Sequence, residues 1–440
     1  MTQATLSQPT DVVPRQRSGR GLASFTRTLE IDTRLLGMLV ALAIIWLGFQ
    51  VLSGGLFLTP RNLWNLSVQS ASIAIMATGM VLIIVSRNID LSVGSVLGFL
   101  GYSMAMVQAQ WVPNALHLGF NQPYTWLIAL AVGVVLGALI GLLQGSIIAY
   151  GGVPSFIVTL GGFLVWRGLI FAYAQGQTIA PMDGIFALLG GGPNGALGEW
   201  GSWIVGALGC AGIIIATFVN RRRRQKYGFA VRPVWALVTV LVIGCGIVLG
   251  AVWVANSYPW PAALAQQYAR AHGIVEPPGG LQIPTGIAYP VLITAGVALV
   301  MTFIATRRRF GRYVFAIGGN PDAAELGGIN VRWTVTKTYV LMGVLVAIAA
   351  AVQTARLNAA VTNLGVQNEL DVISAAVIGG SSLSGGIGTI PGALLGAVVM
   401  QSLRSGMVML KVDSPTQDIV VGIVLVAAVW LDTFLRRRGK

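Results

Sequence analysis

The sequence predicts an all-α, polytopic membrane protein with about 12 transmembrane segments (about 10 to 12), some of them broken helices. Of its 440 residues, 55% are hydrophobic and only 10% are charged, whereas soluble globular domains carry about 25% charged residues. The mean hydropathy is +0.77. Apolar runs of about 20 residues, the length that crosses a hydrocarbon core of roughly 30 Å, recur along the chain.

The apolar runs place the spans in order along the chain. The first nine predicted spans cover residues 35–53, 67–86, 91–110, 124–149, 155–174, 203–219, 233–254, 288–306 and 336–356. Three further segments follow at 371–381, 390–410 and 417–435. The first of these three is short enough to be a broken or re-entrant helix. Together the segments define a membrane domain over residues 35–435.

The basic residues predict how this domain is oriented. Most of the Lys and Arg residues lie in a polar tail (1–34), around Arg221–Arg224, in a loop (307–335) and in a short tail (436–440). The positive-inside rule places these segments, and therefore both termini, in the cytoplasm. This bias also explains the net charge of +14. Nucleic-acid binding is not expected, because the basic residues are not interleaved with aromatic residues on a polar domain.

A short polar helix is predicted within the loop 307–335, between two membrane-length apolar runs. Asn320 can cap it, Pro321 suits its first position, and Asp322 and Glu325 favour its positive N-terminal end. Gly327 and Gly328 are expected to end it. Isolated helices shorter than about 12 residues are marginal in water, so this one is expected to be held by a partner protein. An ordinary loop helix is the alternative, because capped helices occur in any loop.

Two segments repeat a pattern of Gly and Ser before an apolar helix, at 91–101 and 383–396. In transporters such an internal repeat can mark discontinuous helices whose ends meet a polar solute at mid-membrane. Small residues also allow helices to pack closely, and packing is the expectation for most of these positions. Arg87 and Asp90 flank a tight turn before the first repeat, and we expect them to pair with each other.

The chain lacks the residues of an energy-coupling enzyme. Of its four lysines only Lys440 follows a glycine, and residue 434, where the motif requires its first glycine, is Phe, so no G-x-x-x-x-G-K-[ST] phosphate cradle is present. The two histidines lie in predicted outer loops, which leaves no zinc motif and no expected metal site. Arg167 is the clearest charge within a span, and because such a charge costs roughly 2.5–3.5 kcal/mol it should face a partner, a cavity or an ion pair. An ion-coupled secondary transporter of a small polar solute remains the alternative class.

The residues do resemble a known family. The segments Ile89–Ser95, Val153–Leu160, Gly311–Val331 and Val377–Gly386 together resemble the membrane permeases of carbohydrate-type ABC importers, and the likeness covers nearly all of the chain after Leu35. Ribose-type members resemble it but are shorter and lack the spans around Arg221–Arg224, so the xylose type is the better match. The resemblance implies a permease of the bacterial inner membrane that carries a pentose such as xylose.

The family also implies partners. A periplasmic binding protein would deliver the sugar, two permease subunits would form a homodimer with the path, and a cytoplasmic ABC ATPase would consume ATP. This chain would need no cofactor of its own. The resemblance implies ATPase coupling by Gly319, Asn320, Pro321, Asp322, Ala323, Ala324, Glu325, Leu326 and Gly328.

A translocation path for a neutral sugar needs hydroxyl and amide partners rather than countercharges. The residues beside the two expected helix breaks have suitable chemistry, and they are Asp90, Ser92, Ser95, Ser381, Ser382 and Ser384. One departure from the family lies at the first break. Where family members have small or acidic residues before Ile89, this chain has Arg87 and Asn88.

Overall fold

The computed structural model describes residues 33–438 except 116, 118, 232, 276 and 279, and it confirms the all-α fold. The helices of the first half are α1 (Thr33–Leu52), α2 (Pro60–Val85), α3 (Val93–Met106), α4 (Thr125–Ala149), α5 (Ser155–Ala174), α6 (Gly184–Leu188), α7 (Gly198–Lys226) and α8 (Val234–Asn256). Those of the second half are α9 (Ala262–Ala271), α10 (Tyr289–Arg307), α11 (Arg309–Gly319), α12 (Pro321–Leu326), α13 (Val331–Leu357), α14 (Asn368–Ile378), α15 (Ile390–Met409) and α16 (Ser414–Arg438).

Each of the twelve predicted spans corresponds to a helix. Within the described residues, nine helices are long and apolar enough to cross a membrane, and they are α1, α2, α4, α5, α7, α8, α10, α13 and α15. Of the others, α3 continues through a π-helical turn, Val107–Trp111, and α14 is short, as predicted for this segment. Most of the predicted tail 1–34 and the last two residues of the tail 436–440 lie outside the described residues.

The predicted ends differ from the observed ones where polar residues continue a helix. The second span was predicted from residue 67, but α2 begins at Pro60, because proline is well suited to the first turn of a helix. The sixth span was predicted to end at 219, but α7 continues to Lys226 through Arg221–Arg224. Arginine is a good helix former, so a helix can extend past the apolar run that hydropathy detects.

Two helices form the centre of the bundle. Along the most apolar stretch of α2, 94% of the residues are buried, and the corresponding figure for α13 is 72%. Helix α13 packs most extensively against α4. Four glycines spaced four residues apart, from Gly133 to Gly145, line one face of α4, and a Cβ atom on Gly137 would meet the carbonyl of Gly343 in α13. Backbones that approach this closely are typical of small-residue contacts between membrane helices.

Helices α7 and α8 form a pair at the edge of the bundle. They pack mainly on each other, and only 11% of the most apolar stretch of each is buried within the chain. Their lipid-length apolar surfaces therefore face away from the core that α2 and α13 build.

The bundle has two distinct ends. The first, which we call the α12 end, is where α10 stops, α11 and α12 lie, and α13 begins. Helix α2 ends and α15 begins at this same end, because a Cβ atom on Gly388 would touch the Val85 side chain. Helices α2 and α15 therefore run in opposite directions, and the start of α2, the finish of α13 and the finish of α15 lie at the opposite end.

Helix α14 does not cross the whole bundle. Its 11 residues give a length of about 16 Å at about 1.5 Å per residue, roughly half of a hydrocarbon core. The loop 358–367 covers the other half, and it returns from the end of α13 into the bundle. Gly365, at a φ of 75°, lies where a Cβ atom would meet the carbonyl of Gly94 at the start of α3. The prediction of a broken or re-entrant segment here is confirmed in its length, although the helix begins at Asn368 rather than at 371.

We predict that Gly343→Leu destabilises the protein, because the new side chain would clash with the α4 backbone at Gly137. Overpacking of this kind costs about 1–3 kcal/mol or more. The thermal unfolding midpoint of the detergent-solubilised protein should fall. Gly246→Leu in α8 is the control, since a Cβ atom there has open space around it. Equal midpoints for the two variants would contradict the tight α4–α13 contact.

Candidate functional site

The short polar helix lies where the sequence predicts it. Asn320 has an extended backbone, and its side-chain oxygen accepts a hydrogen bond of 3.1 Å from the Ala323 amide. Pro321 is the first residue of α12, Gly327 caps its C-terminus, and Gly328 has a φ of 82°. The predicted cap and stop signals are therefore confirmed. The sequence did not separate α11 from this helix; α11 is an amphipathic helix that leads directly into it.

Helix α12 is held to the protein by one side and presents the other. Ala324 is buried, at 6% exposure, against the bundle. Asp322 and Glu325 are exposed, and Leu326 is 91% exposed. The exposed Leu326 side chain and the two exposed carboxylates together form a surface that is partly apolar and partly acidic. Such a surface can be stabilised by a partner that provides an apolar pocket with basic residues around it.

Arg87 ties the base of this helix to the end of α2. Its backbone has a φ of 63°, and its side chain donates from Nε to the Gly318 carbonyl at 2.8 Å and from Nη2 to the Gly319 carbonyl at 2.6 Å. These are carbonyls at the C-terminus of α11, which lack partners within the helix and carry its negative dipole end. A guanidinium therefore fits there both as a donor and as a cation.

The predicted pairing of Arg87 with Asp90 is wrong. Asp90 instead accepts bonds from the Ser92 amide at 2.9 Å and the Ser92 hydroxyl at 2.7 Å. A carboxylate that bonds two residues ahead forms a local turn of its own. Arg87 is thereby free to reach α11, which is distant in sequence and was not considered as its partner.

A third segment completes the contact around Arg87. The Gly386 amide donates to the Val85 carbonyl at 2.9 Å, and a Cβ atom on Gly318 would collide with both of these atoms. The end of α2 (85–87), the end of α11 (318–319) and the loop between α14 and α15 (385–386) thus meet backbone to backbone. We call this contact the three-way junction. Only glycine allows so close an approach at residue 318.

The predicted path residues form two separate groups. At the first break, Asp90, Ser92 and Ser95 are buried, and the Ser92 hydroxyl also contacts the Gln144 amide group at 3.1 Å. The cavity beside Asp90 and Ser92 measures only about 10 Å³, which is at the lower limit for a single water molecule. These residues face no open path in this conformation, and their part in translocation stays a prediction.

At the second break the serines lie in the loop of the three-way junction. Ser381 and Ser382 are buried, whereas Ser384 is exposed and shares a hydrogen bond of 2.7 Å with the Ser382 hydroxyl. The Ser381 hydroxyl has no hydrogen-bond partner among the described residues. The second group therefore lies beside the base of α12, so the two parts of the predicted site, coupling helix and helix break, are neighbours.

The sequence indicated charges within the spans but not the acidic residues of α14 that pair with them. Arg404 donates to Asp371 in α14 at 2.9 Å and approaches Asp418 in α16 at 3.5 Å. Arg167 donates to the Leu364 carbonyl in the returning loop at 3.0 Å and lies near enough to Glu369 for electrostatic attraction. Arg167, Arg404 and Asp418 were recognisable as isolated charges in apolar runs. Glu369 was missed because the predicted segment began at residue 371, and Asp371 was not recognised as a partner because Arg404 lies far from it in the sequence.

Comparison with known proteins identifies relatives along almost the full chain. The family model described as "Branched-chain amino acid transport system / permease component" matches residues 62–429. The xylose transport system permease protein of Haemophilus influenzae is 37% identical over 409 residues, which cover 93% of this chain and 98% of that protein. No solved structure matches the chain.

Permeases for other sugars are similar as well. The ribose import permease protein of Escherichia coli is 30% identical over 413 residues, or 94% of this chain and 97% of that protein. The galactose/methyl galactoside import permease protein of the same species is 29% identical over 405 residues, or 92% of this chain and 94% of that protein.

We predict that Arg87→Gln loosens α11 and α12, because it removes the guanidinium that bonds to two α11 carbonyls. Hydrogen bonds to charged groups contribute about 1.5–3 kcal/mol, so local opening should become roughly 10-fold to 100-fold more frequent. Hydrogen–deuterium exchange of the amides at 314–328 measures this. Arg222→Gln, an exposed arginine on α7, is the control for loss of one positive charge. Unchanged exchange in the Arg87 variant would contradict a structural role for the guanidinium.

Proposed function

The chain belongs to the family described as the permease component of branched-chain amino acid transport systems, and from that premise we propose that it forms the membrane path of an ATP-driven importer for a pentose such as xylose. The observation that supports xylose as the transported sugar is sequence identity. The chain is more similar to the xylose permease than to the ribose and galactose permeases, over nearly the full length of each. A permease of such a transport system is a transport subunit rather than an enzyme, and its partners are an ATPase and a solute-binding protein.

We propose that the ATPase binds the permease at α12. Its Asp322, Glu325 and Leu326 are exposed while Ala324 anchors it. Isolated helices of this length are marginal in water, so contacts on the exposed side of this six-residue helix would stabilise it further. In the proposed complex Leu326 enters an apolar pocket of the ATPase, and the two carboxylates meet basic residues around that pocket. The α12 end of the bundle is then cytoplasmic, as the basic loops predict, and the membrane is the bacterial inner membrane.

Movement of α12 would reach the helix breaks through the three-way junction. Arg87 holds the end of α11 to the end of α2, and the Gly386 amide holds the loop before α15 to Val85, also at the end of α2. Because Gly318 also meets Val85 and Gly386 backbone to backbone, a displacement of α12 cannot be absorbed by side-chain rotation alone. It shifts the loop that joins α14 to α15, and α14 is the helix that begins half-way through the bundle and ends at this loop. Two copies of the chain, arranged as a homodimer, would form the complete path.

The energy source distinguishes this proposal from an ion-coupled carrier. Proteoliposomes that contain the permease and its ATPase, with ATP inside and the sugar-binding protein and radiolabelled D-xylose outside, should accumulate the sugar. An imposed proton or sodium gradient without ATP should give no accumulation, because the proposed mechanism takes its energy from ATP hydrolysis by the partner ATPase. Robust uptake on an ion gradient alone would favour the secondary carrier instead.

We predict that Asp322→Lys combined with Glu325→Lys weakens association with the ATPase, because it reverses the charge of the proposed contact. The variant should insert and purify in normal amounts, since both side chains are exposed. Co-purification of the tagged ATPase at increasing salt is the measurement. Glu199→Lys, an exposed carboxylate at the start of α7, is the control. If the ATPase co-purifies equally with both variants, α12 is not the charged contact.

A further inference from the structure

A polar cavity of about 170 Å³ opens at the end of the bundle opposite to α12. Its wall comes from four helices: the first half of α2, the last turns of α13, the start of α14 and the second half of α15. Water occupies about 30 Å³ per molecule in the liquid, and the cavity thus has room for a small solute in place of several waters. The polar side chains that line it include Gln69, Gln353, Arg356, Asn368, Gln401 and Arg404.

Two amide pairs bridge the helices around this cavity. Gln401 donates from Nε2 to the Gln69 side-chain oxygen at 2.8 Å, and Asn368 donates from Nδ2 to the Gln353 side-chain oxygen at 2.9 Å. An amide side chain has two N–H donors and a carbonyl with two lone pairs. Each pair therefore uses a single donor and a single lone pair, and it retains both kinds of group for a guest. Such mixed donors and acceptors match sugar hydroxyls, which both donate and accept.

The two arginines of the cavity differ in their surroundings. Arg404 is neutralised by Asp371 and Asp418, and it serves to hold α14, α15 and α16 together. The guanidinium of Arg356 makes no hydrogen bond or ion pair with any other residue that the structure describes, and this side chain is exposed in the cavity wall. Its guanidinium can donate to several oxygen atoms at once.

We propose that this cavity is the entry site of the translocation path, where a neutral polyhydroxylated solute binds through the amide pairs and Arg356. The proposal rests on the proposed sugar import and assigns it residues that the sequence did not indicate. The wall is mostly polar, which disfavours an apolar solute. The volume excludes a large oligosaccharide. The floor of the cavity is the start of α14, and the other end of α14 leads to the three-way junction, so a bound sugar and a moving α12 act on opposite ends of the same helix.

Protection from a thiol reagent tests binding directly. In a Cys210→Ser, Cys245→Ser background, a Gln353→Cys variant is assembled with the ATPase and the sugar-binding protein, and its labelling by a membrane-impermeant maleimide is timed. D-Xylose should slow the labelling, whereas sucrose at equal osmolarity, too large for the cavity, should not. Gln267→Cys on α9, an exposed glutamine outside the cavity, should label at the same rate with either sugar. Equal labelling of the Gln353 variant in D-xylose and sucrose would overturn the proposal, as would protection by the acid D-xylonate alone.

Uptake provides the second measurement. Arg356→Gln should lower ATP-driven D-xylose uptake roughly tenfold, since it removes a charged hydrogen-bond donor, whereas Arg270→Gln, an exposed arginine on α9, should not. Melting temperature and co-purification of the ATPase control for folding. Wild-type protein that takes up no D-xylose would refute the proposed function itself. Normal wild-type uptake together with unaffected uptake by the Arg356 variant would refute only the cavity assignment.

Discussion

A backbone that breaks inside a membrane must find its hydrogen-bond partners within the protein, because the hydrocarbon supplies none. This constraint accounts for the polar side chains of the bundle centre. The break before α3 is closed by Asp90 on the Ser92 amide, and the loop before α15 by the Val85 carbonyl on the Gly386 amide. The returning loop before α14 is held by Arg167 on the Leu364 carbonyl. Each of these groups lies in or beside a non-helical segment of the chain.

The same constraint couples the breaks to one another. Arg87 could have satisfied its charge locally with Asp90, but it bonds to the carbonyl end of α11. Arg87, at the start of the first break, thereby supports the end of α11 that leads into α12. Glycines at 318, 385 and 386 bring the second break into the same contact. A chain of backbone contacts of this kind has little freedom to deform side chain by side chain, and it is suited to transmit a displacement.

Helix α14 connects the polar cavity with the three-way junction. It is short, it starts beside the polar cavity, and it ends at the loop of the three-way junction. Its first turn carries Glu369 and Asp371, which attract Arg167 and Arg404 from two other helices. Charges at mid-membrane are costly unless paired, so these contacts fix the position of the helix start. The pair α7 and α8 lies at the edge of this core, and only 11% of the most apolar stretch of each helix is buried within the chain.

The sequence by itself determined the features that depend on local chemistry. Runs of apolar residues set the twelve segments, because a bilayer requires a fixed length of hydrophobic helix, and Asn320 with Pro321 set the start of α12, because a cap acts within one turn. Tertiary structure alone decided which distant residues meet. Arg87 could be assigned to Asp90 by proximity in sequence, yet the fold places the end of α11 within its reach. The polar cavity likewise draws its amides from α2 and from the consecutive helices α13, α14 and α15, which lie far from α2 in the chain, and no local pattern records that they share one space.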